Sequence, residues 1–400
     1  MAHTQHNQHT QQTHPKPKAW RRMIGREPHE THRVATTLEL LFDLIFVVAI
    51  AFAGAELHHA ISANHAAHGV ISFMMVFFAI WWAWMGFTWF ASSFDTDDVP
   101  YRIAVFVQMA GALVIAAGIP SLFENGERTI VTAGYTVMRL ASVAQWLRAA
   151  AGDARFRPTT LRYALGIFLV QLGWIATLFA PSSYGYALFM LMVLCEFAVP
   201  LWAERAGMTS WHPHHISERY GLLTIIVLGE SILAAANAAQ KGLSTGLLSL
   251  NFALFCIGAL LIVFCMWWLY FEDEVAEQLN DYRTIFLWGY GHYFIFMSAA
   301  AGAGLAAQVD FRMGMAQASS MTVGLGLAIP VAVYVFFAWL VHKRVSQSAG
   351  AWVFPIAALA ILATPWLTGY TTIGIALVLV AALIVRAWLI APRAHAKHTH

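Results

Sequence analysis

The sequence predicts an all-α polytopic membrane protein of about twelve transmembrane helices. Hydrophobic residues make up 59% of the 400-residue chain and charged residues only 11%, whereas an ordinary soluble domain is about 25% charged. A soluble fold of this length needs a polar exterior and cannot bury so much apolar side chain. Apolar runs also recur along the chain, each near the roughly 20 residues that a helix needs to cross the hydrocarbon core.

The apolar runs fall into two sets of six. The first set lies at 38–60, 69–94, 101–120, 129–150, 160–180 and 184–203, and the second at 221–240, 246–271, 284–307, 321–341, 349–367 and 371–390. We divide the chain accordingly. The predicted segments are a disordered, His-rich cytoplasmic tail (1–37), a first six-helix repeat (38–203), a cytoplasmic linker (204–220), a second six-helix repeat (221–390) and a cytoplasmic tail (391–400).

The basic residues orient the chain in the membrane. If the N-terminus lies inside, the cytoplasmic segments hold 19 of the 23 Lys and Arg residues, and the exterior holds Arg128, Lys241 and Arg312. Cytoplasmic loops of membrane proteins carry such an excess of positive charge. The distribution therefore predicts that both termini are cytoplasmic.

Two loops carry the same pattern of residues. Residues 81–102 and 265–283 each contain an aromatic helix end, an acidic loop and a Tyr-Arg pair that opens the next helix. Each copy lies between the second and third helices of its set, which predicts two parallel repeats. The candidate residues in these loops are Asp95, Asp97, Asp98, Arg102, Glu272, Asp273 and Arg283, and Glu274 adds a further acid to the second loop. Their acids serve either as helix N-caps or to concentrate cations at an inner mouth.

Ionisable side chains inside the spans are functional candidates, because each costs about 2.5 to 3.5 kcal/mol at the centre of a membrane helix. The candidates for an ion or transport pathway are Glu39, Asp43, Arg139, Glu196, Glu230, Ser231 and His292.

Four of these residues allow more specific predictions. Glu39 and Asp43 are four residues apart, which places both carboxylates on one face of the first helix. Arg139 and Glu230 fall near the middle of their helices, and we predict that they form a buried ion pair. This leaves Asp43 without a compensating charge and able to hold a proton or a cation. A structural role, in which the acids only hold helices together, stays open.

Other kinds of site have less support in the sequence. Glu56, His58 and His59 are weak candidates for an external metal site, and solvated loop histidines are the alternative. The three cysteines fall inside apolar runs and give no disulfide framework. The chain has no phosphate-loop, His-Glu-x-x-His or Gly-x-Ser-x-Gly motif. We therefore expect no cofactor, no nucleic-acid partner and no familiar enzymatic activity.

Three motifs carry a resemblance to a known family. Residues 38–47 read LELLFDLIFV, residues 218–221 read ERYG and residues 228–231 read LGES. With the acidic loop at 95–98, they resemble the signature of the bacterial low temperature requirement A family over nearly the whole membrane region. The resemblance implies a protein of the bacterial inner membrane linked to growth in the cold, and it adds Glu218 and Arg219 of the linker to the residues of interest.

Three hypotheses of function follow. The leading one is a transporter or ion-conducting protein whose path runs between the two halves and uses the in-membrane carboxylates. Its partners are the lipid bilayer and a small cation or small molecule. A non-transporting sensor or assembly factor for cold adaptation is the alternative, and a membrane enzyme acting on lipids is the third.

Overall fold

The computed structural model shows an all-helical protein. It describes residues 19–27, 30, 33–246, 249–273, 275–279, 282–298, 300–344 and 349–395; 83% of the residues are helical, and this part of the chain contains no strand. The helices of the first half are α1 (Thr37–Ser62), α2 (Ala66–Phe94), α3 (Val99–Asn125), α4 (Thr129–Gly152), α5 (Arg157–Ala176) and α6 (Gly185–Glu204). Those of the second half are α7 (Pro213–Ser244), α8 (Leu250–Phe271), α9 (Tyr282–Met297), α10 (Ala300–Arg312), α11 (Ser320–Ala338), α12 (Val353–Ala363) and α13 (Thr371–His395).

Ten helical segments in the described residues are long and apolar enough to cross a membrane. One of them, Thr284–Arg312, comprises α9 and α10 and is interrupted by a turn at Ser298. Two further predicted spans coincide with α4 and with the shorter apolar helix Val353–Trp366, which are not among the ten. The chain is therefore a multi-pass membrane protein, and the count of twelve crossings stays a prediction.

Local sequence fixes several helix ends. Thr36 caps α1 in a capping box, in which its hydroxyl accepts from the Glu39 backbone and the Glu39 side chain accepts from the Thr36 backbone. Asp98 caps α3 by accepting from Tyr101 N at 3.1 Å, with proline in the first turn. α3 ends at Gly126, whose φ of 70° is a conformation that glycine adopts without strain. These signals place the acidic loop between two well-defined helices.

Helix α1 lies at the centre of the molecule. It packs against α2 and α3 of its own half and against α7 and α10 of the other half, and α7 also packs against α10. Glycines allow two of the other helix pairs to approach closely: a Cβ at Gly134 of α4 would collide with the Gly111 carbonyl of α3, and one at Gly304 of α10 would collide with the Gly326 carbonyl of α11. The contact of α1 with α7 and α10 is therefore a major contact between the two halves.

Part of the segment that we expected to be disordered packs against the helices. Residues 19–27 form no regular secondary structure, and Met23 is only 1% exposed. The chain passes so close to the end of α4 that a Cβ at Gly152 would collide with the Met23 carbonyl. Residues 1–18 of the predicted tail lie outside the described residues. At the other end α13 runs to His395, so the predicted boundary at 391 falls inside a helix.

Candidate functional site

Four charged or titratable side chains meet between α1 and α7. The Arg219 guanidinium donates to both carboxylate oxygens of Asp43, with Nη2 2.5 Å from Oδ1 and Nε 3.3 Å from Oδ2. Its Nη1 lies 2.9 Å from Glu39 Oε1, and His215 Nε2 lies 3.1 Å from the same oxygen. Trp84 of α2 donates to Asp43 Oδ1 at 2.6 Å. We call Glu39, Asp43, His215 and Arg219 the central cluster.

The central cluster is sealed from solvent, because each of its four side chains is at most 1% exposed. Both carboxylates contact the same guanidinium, as their spacing of four residues on one helix face requires. The expectation that Asp43 lacks a compensating charge was wrong. Its partner is Arg219, which the sequence interpretation had assigned to a cytoplasmic linker, whereas α7 begins at Pro213 and carries Arg219 into the core.

Arg139 pairs with Glu196 and not with Glu230, so the predicted Arg139–Glu230 pair was wrong. Arg139 Nη2 donates to Glu196 Oε2 at 2.6 Å, and Glu196 is 0% exposed. The same carboxylate accepts from Tyr135 OH at 2.6 Å and from Trp82 Nε1 at 2.8 Å. Depth in the membrane made the first pairing plausible. Glu196 of α6 lies in the same half of the chain as Arg139 of α4, whereas Glu230 of α7 lines a cavity with α1 and α10.

Glu230 lines a cavity between α1, α7 and α10. The cavity, with its open mouth, has a volume of about 840 Å³, and small residues form most of its walls. A Cβ added at Gly54 of α1 would meet nothing within 4 Å, which shows the open space beside that helix. Among the described residues, no side chain donates a hydrogen bond or forms an ion pair with the half-buried Glu230. Its neighbour Ser231 is buried and points its hydroxyl at no partner in the same part of the chain.

Three charged or titratable residues stand at the far end of this cavity, away from the central cluster. Asp310 of α10 accepts from Lys241 Nζ at 2.7 Å and contacts His58 Nε2 at 2.7 Å. His58 stacks on His59, with ring centroids 5.1 Å apart. No group of three or more His, Cys, Asp or Glu side chains in the described ranges could hold a metal ion. The proposed metal site at Glu56, His58 and His59 therefore gains no support.

The first acidic loop is neutralised by arginines. Asp98 accepts from Arg148 and from the Arg21 backbone at 2.8 Å. Burial acts to raise the pKa of Asp98, but these hydrogen bonds hold it below its ordinary value. Arg102 pairs with Asp97, its Nε lying 2.7 Å from Oδ1. The N-cap interpretation of this loop is thus supported, and its capacity to attract cations is reduced by its arginine partners.

Asp95 is the carboxylate of this loop whose pKa is most strongly shifted. Its side chain is 4% exposed and lies 3.5 Å from Arg33 Nη1 and 3.6 Å from Arg26 Nη1. Burial, with a smaller effect of the Glu39 charge, raises the pKa of Asp95 to about 6 despite these arginines. Asp95 therefore links the segment that precedes α1 to the end of α2.

The second acidic loop has a similar set of partners. Lys343 Nζ lies 3.0 Å from Glu272 Oε2 and 2.8 Å from Asp273 Oδ2. Arg386 of α13 contacts both acids. The side chain of Arg283, which the sequence analysis had singled out, lies outside the described residues.

His292 of α9 lies in a cluster of aromatic residues that contacts α7. It is 0% exposed, its Nδ1 lies 2.6 Å from the Trp288 carbonyl, and its Nε2 lies 2.8 Å from Tyr270 OH. His342, which the sequence analysis did not single out, lies 3.4 Å away, in a π-helical turn. His292 is therefore separate from the cavity that contains Glu230.

Sequence reasoning missed four residues of these networks: His215, Trp84, His342 and Asp310. One signal was available, because His215 and Arg219 are four residues apart and share a helix face in the same way as Glu39 and Asp43. Glu218, the other linker residue of interest, accepts from the Ala35 backbone at 3.0 Å and borders the cluster without joining it.

A family model described as "Bacterial low temperature requirement A protein (LtrA)" matches residues 34–388. The chain belongs to the LtrA family. The central cluster, the Arg139–Glu196 pair and the cavity with Glu230 all lie within the matched residues. This LtrA protein is 28% identical over 271 residues to an uncharacterized protein, RA0937, of Rhizobium meliloti (strain 1021), and the match covers 64% of each chain. The chain thus spans less than two thirds of that relative's length. No solved structure matches the chain.

Proposed function

We propose that this LtrA protein moves a small cation across the bacterial inner membrane along the contact between α1, α7 and α10. The observation that carries the proposal is a line of polar groups through an otherwise apolar bundle. The line begins at His58 and Asp310, continues to Glu230 in the cavity and ends at Asp43 and Glu39 in the central cluster.

This line is long enough to cross most of a membrane. Glu39 and His58 are separated by 19 positions of one continuous helix, which is about 28 Å at 1.5 Å per residue. The hydrocarbon core is about 30 Å thick. The chain has no familiar catalytic or cofactor-binding motif to explain these polar groups. Their spread over this distance between two halves of a protein suits the passage of a solute better than a local structural role.

The charge along the line favours a cation. Its carboxylates are Glu39, Asp43, Glu230 and Asp310, and the positive groups that face them are Arg219 and Lys241. With neutral histidines the acids are in excess by two. Fixed negative charge in a low-dielectric channel attracts cations and repels anions.

Arg219 supplies a mechanism for a closed state. Its guanidinium contacts both acids of the central cluster, which lies on the predicted cytoplasmic side of the cavity and does not line it. A cation that moves from Glu230 toward Asp43 competes with Arg219 for that carboxylate, because Arg219 already donates to both of its oxygens. Release of Arg219 toward Glu39 would then open the lower part of the path.

Two further features support a path at this place. The span α9–α10 is broken at Ser298, and α10 packs against both α1 and α7. Interrupted helices in membranes occur where they line a cavity or a solute site.

The two halves also have matching contacts, which support the predicted parallel repeat. α1 contacts α2 and α3 as α7 contacts α8 and α10, and α3–α4 and α10–α11 are both glycine-mediated. α1 and α7 run in the same direction, because Glu39 and His215 meet at one end and His58 and Lys241 share Asp310 at the other.

Flux measurements on purified protein in proteoliposomes test the proposal. We expect uptake of at least one of H⁺, Na⁺ and K⁺ above the level of empty vesicles, and we expect Glu230→Gln to reduce it at least tenfold, because that acid has no competing partner in the described structure. Glu56→Gln is the matched control on α1, since Glu56 is half-buried but does not line the cavity. Absence of flux for every cation, or equal loss in both variants, would contradict the proposal.

A non-transporting role is the second candidate, and one observation favours it. Within the described residues every acid of the central cluster and of the two acidic loops has a positive partner, as expected for charges that only hold helices together. In that case the unaltered protein shows no cation flux above empty vesicles, and Glu230→Gln leaves growth in the cold unchanged.

A further inference from the structure

A second cavity lies between α2, α4, α5 and α6 of the first half and the start of α9 of the second half. Its volume, with its open mouth, is about 930 Å³. None of its lining residues belongs to the cavity that contains Glu230. It follows α6 from Glu196 to Glu204, which is about 12 Å along the helix. The linker between the halves forms its end beside Glu204, through Met208, Thr209 and Trp211.

Aromatic side chains dominate the wall of this cavity. Those that line it are Trp82, Trp89, Trp146, Tyr163, Trp211, Phe286 and Tyr290. Trp89 and Trp211 meet edge to face with centroids 5.4 Å apart, at the end of the cavity that the linker closes. Aromatic faces attract cations through the ring quadrupole and also bury apolar surface, so they suit a ligand that has both a positive charge and an apolar body.

The charges in the wall sum to a single negative charge. Arg139 is neutralised by Glu196, which leaves Glu204. The Glu204 oxygens accept only from neutral donors in the described part of the chain: Tyr163 OH at 2.8 Å, Thr209 N at 2.9 Å and Thr209 Oγ1 at 3.0 Å. A half-buried carboxylate that lies beside aromatic rings and has no cationic partner among the described residues is a site for a positive group from outside the chain.

We propose that this aromatic cavity binds an amphipathic organic cation, with the cationic group between Glu204 and the rings of Trp89 and Trp211 and the apolar body against the deeper aromatic wall. The site is separate from the proposed cation path, and it takes a different class of ligand. An anionic amphiphile is disfavoured, because the positive charge of Arg139 already faces a carboxylate at 2.6 Å.

Two probes of equal shape and opposite charge test the site on the full chain in a non-ionic detergent. We expect tetraphenylphosphonium to bind saturably in equilibrium dialysis and to quench tryptophan fluorescence, and tetraphenylborate neither to bind saturably nor to displace it. Glu204→Gln should weaken tetraphenylphosphonium binding about tenfold, since it removes the charge and keeps the side-chain shape. Trp89→Leu should weaken it several-fold.

The matched controls lie outside the cavity. Trp202→Leu alters an exposed tryptophan of α6, the helix that carries Glu204, and Glu124→Gln alters an exposed acid at the end of α3. Both variants should bind tetraphenylphosphonium as the unaltered protein does. Equal binding of the two probes, absence of saturable binding to the parent, or full binding by Glu204→Gln would overturn the proposal. The comparison of the two probes uses the unaltered protein and so does not depend on whether a variant folds.

Discussion

Removal of Arg219 should destabilise the protein far more than removal of Asp43. In the central cluster two carboxylates share one guanidinium, and all three side chains are at most 1% exposed. Asp43→Asn leaves Arg219 paired with Glu39 at 2.9 Å, so the loss is that of charge-assisted hydrogen bonds, about 1.5 to 3 kcal/mol. Arg219→Gln leaves two buried carboxylates without a cation, and breaking a buried pair in this way costs about 3 to 5 kcal/mol.

The double variant separates this reasoning from general disruption of the core. Combining Asp43→Asn with Arg219→Gln removes one of the two stranded carboxylates, so the double variant should be more stable than Arg219→Gln alone. The free energy of unfolding, measured by titration with sodium dodecyl sulfate in detergent micelles, gives the order directly. Arg205→Gln, at an exposed arginine, is the control. If the double variant is as unstable as the sum of its two single variants, the residues do not form the cluster described.

Three further predictions concern other parts of the protein. Glu196→Gln should lower the thermal midpoint more than Glu230→Gln does, because it strands the buried Arg139; the reverse order would restore the Arg139–Glu230 pair. The Asp95 carboxyl has a pKa of about 6 in the folded protein, against an ordinary value of 3.8, so the folded state binds more protons than the unfolded state between those two pH values. Its contribution to stability is present below about pH 4 and is lost as the pH rises through 6. Asp95→Asn should therefore reduce the fall in the thermal midpoint between pH 4 and pH 7. An unchanged pH dependence of the midpoint would exclude Asp95 as its source. Single cysteines at Ser183 and Ser244, in a background without the three native cysteines, should react with an impermeant reagent in intact cells, and one at Ala154 only after lysis; labelling of Ala154 in intact cells would invert the topology.

The sequence by itself determined the solvent of this protein and most of its helices. Composition indicated a membrane protein, and the apolar runs located helices along the chain, because both properties depend on local residues alone; the number of membrane crossings stays a prediction. It also identified Glu39, Asp43 and Glu230 as side chains whose charge costs free energy inside a membrane, and it predicted a helix N-cap in the first acidic loop. The family motifs fall in these same elements.

Only the tertiary structure decided which charges meet. Arg139 could satisfy any acid at a similar depth, and the packing of α4 against α5 and α5 against α6 brings it to Glu196 instead of Glu230. Arg219 was assigned to the cytoplasmic linker because basic residues near span ends usually lie there. However, α7 begins at Pro213, six residues before Arg219, and places Arg219 Nη2 2.5 Å from Asp43 Oδ1. Partner choice depends on the lateral order and rotation of helices, which a one-dimensional pattern of hydrophobicity does not encode. For the same reason Glu230, expected to be paired, was left facing a cavity.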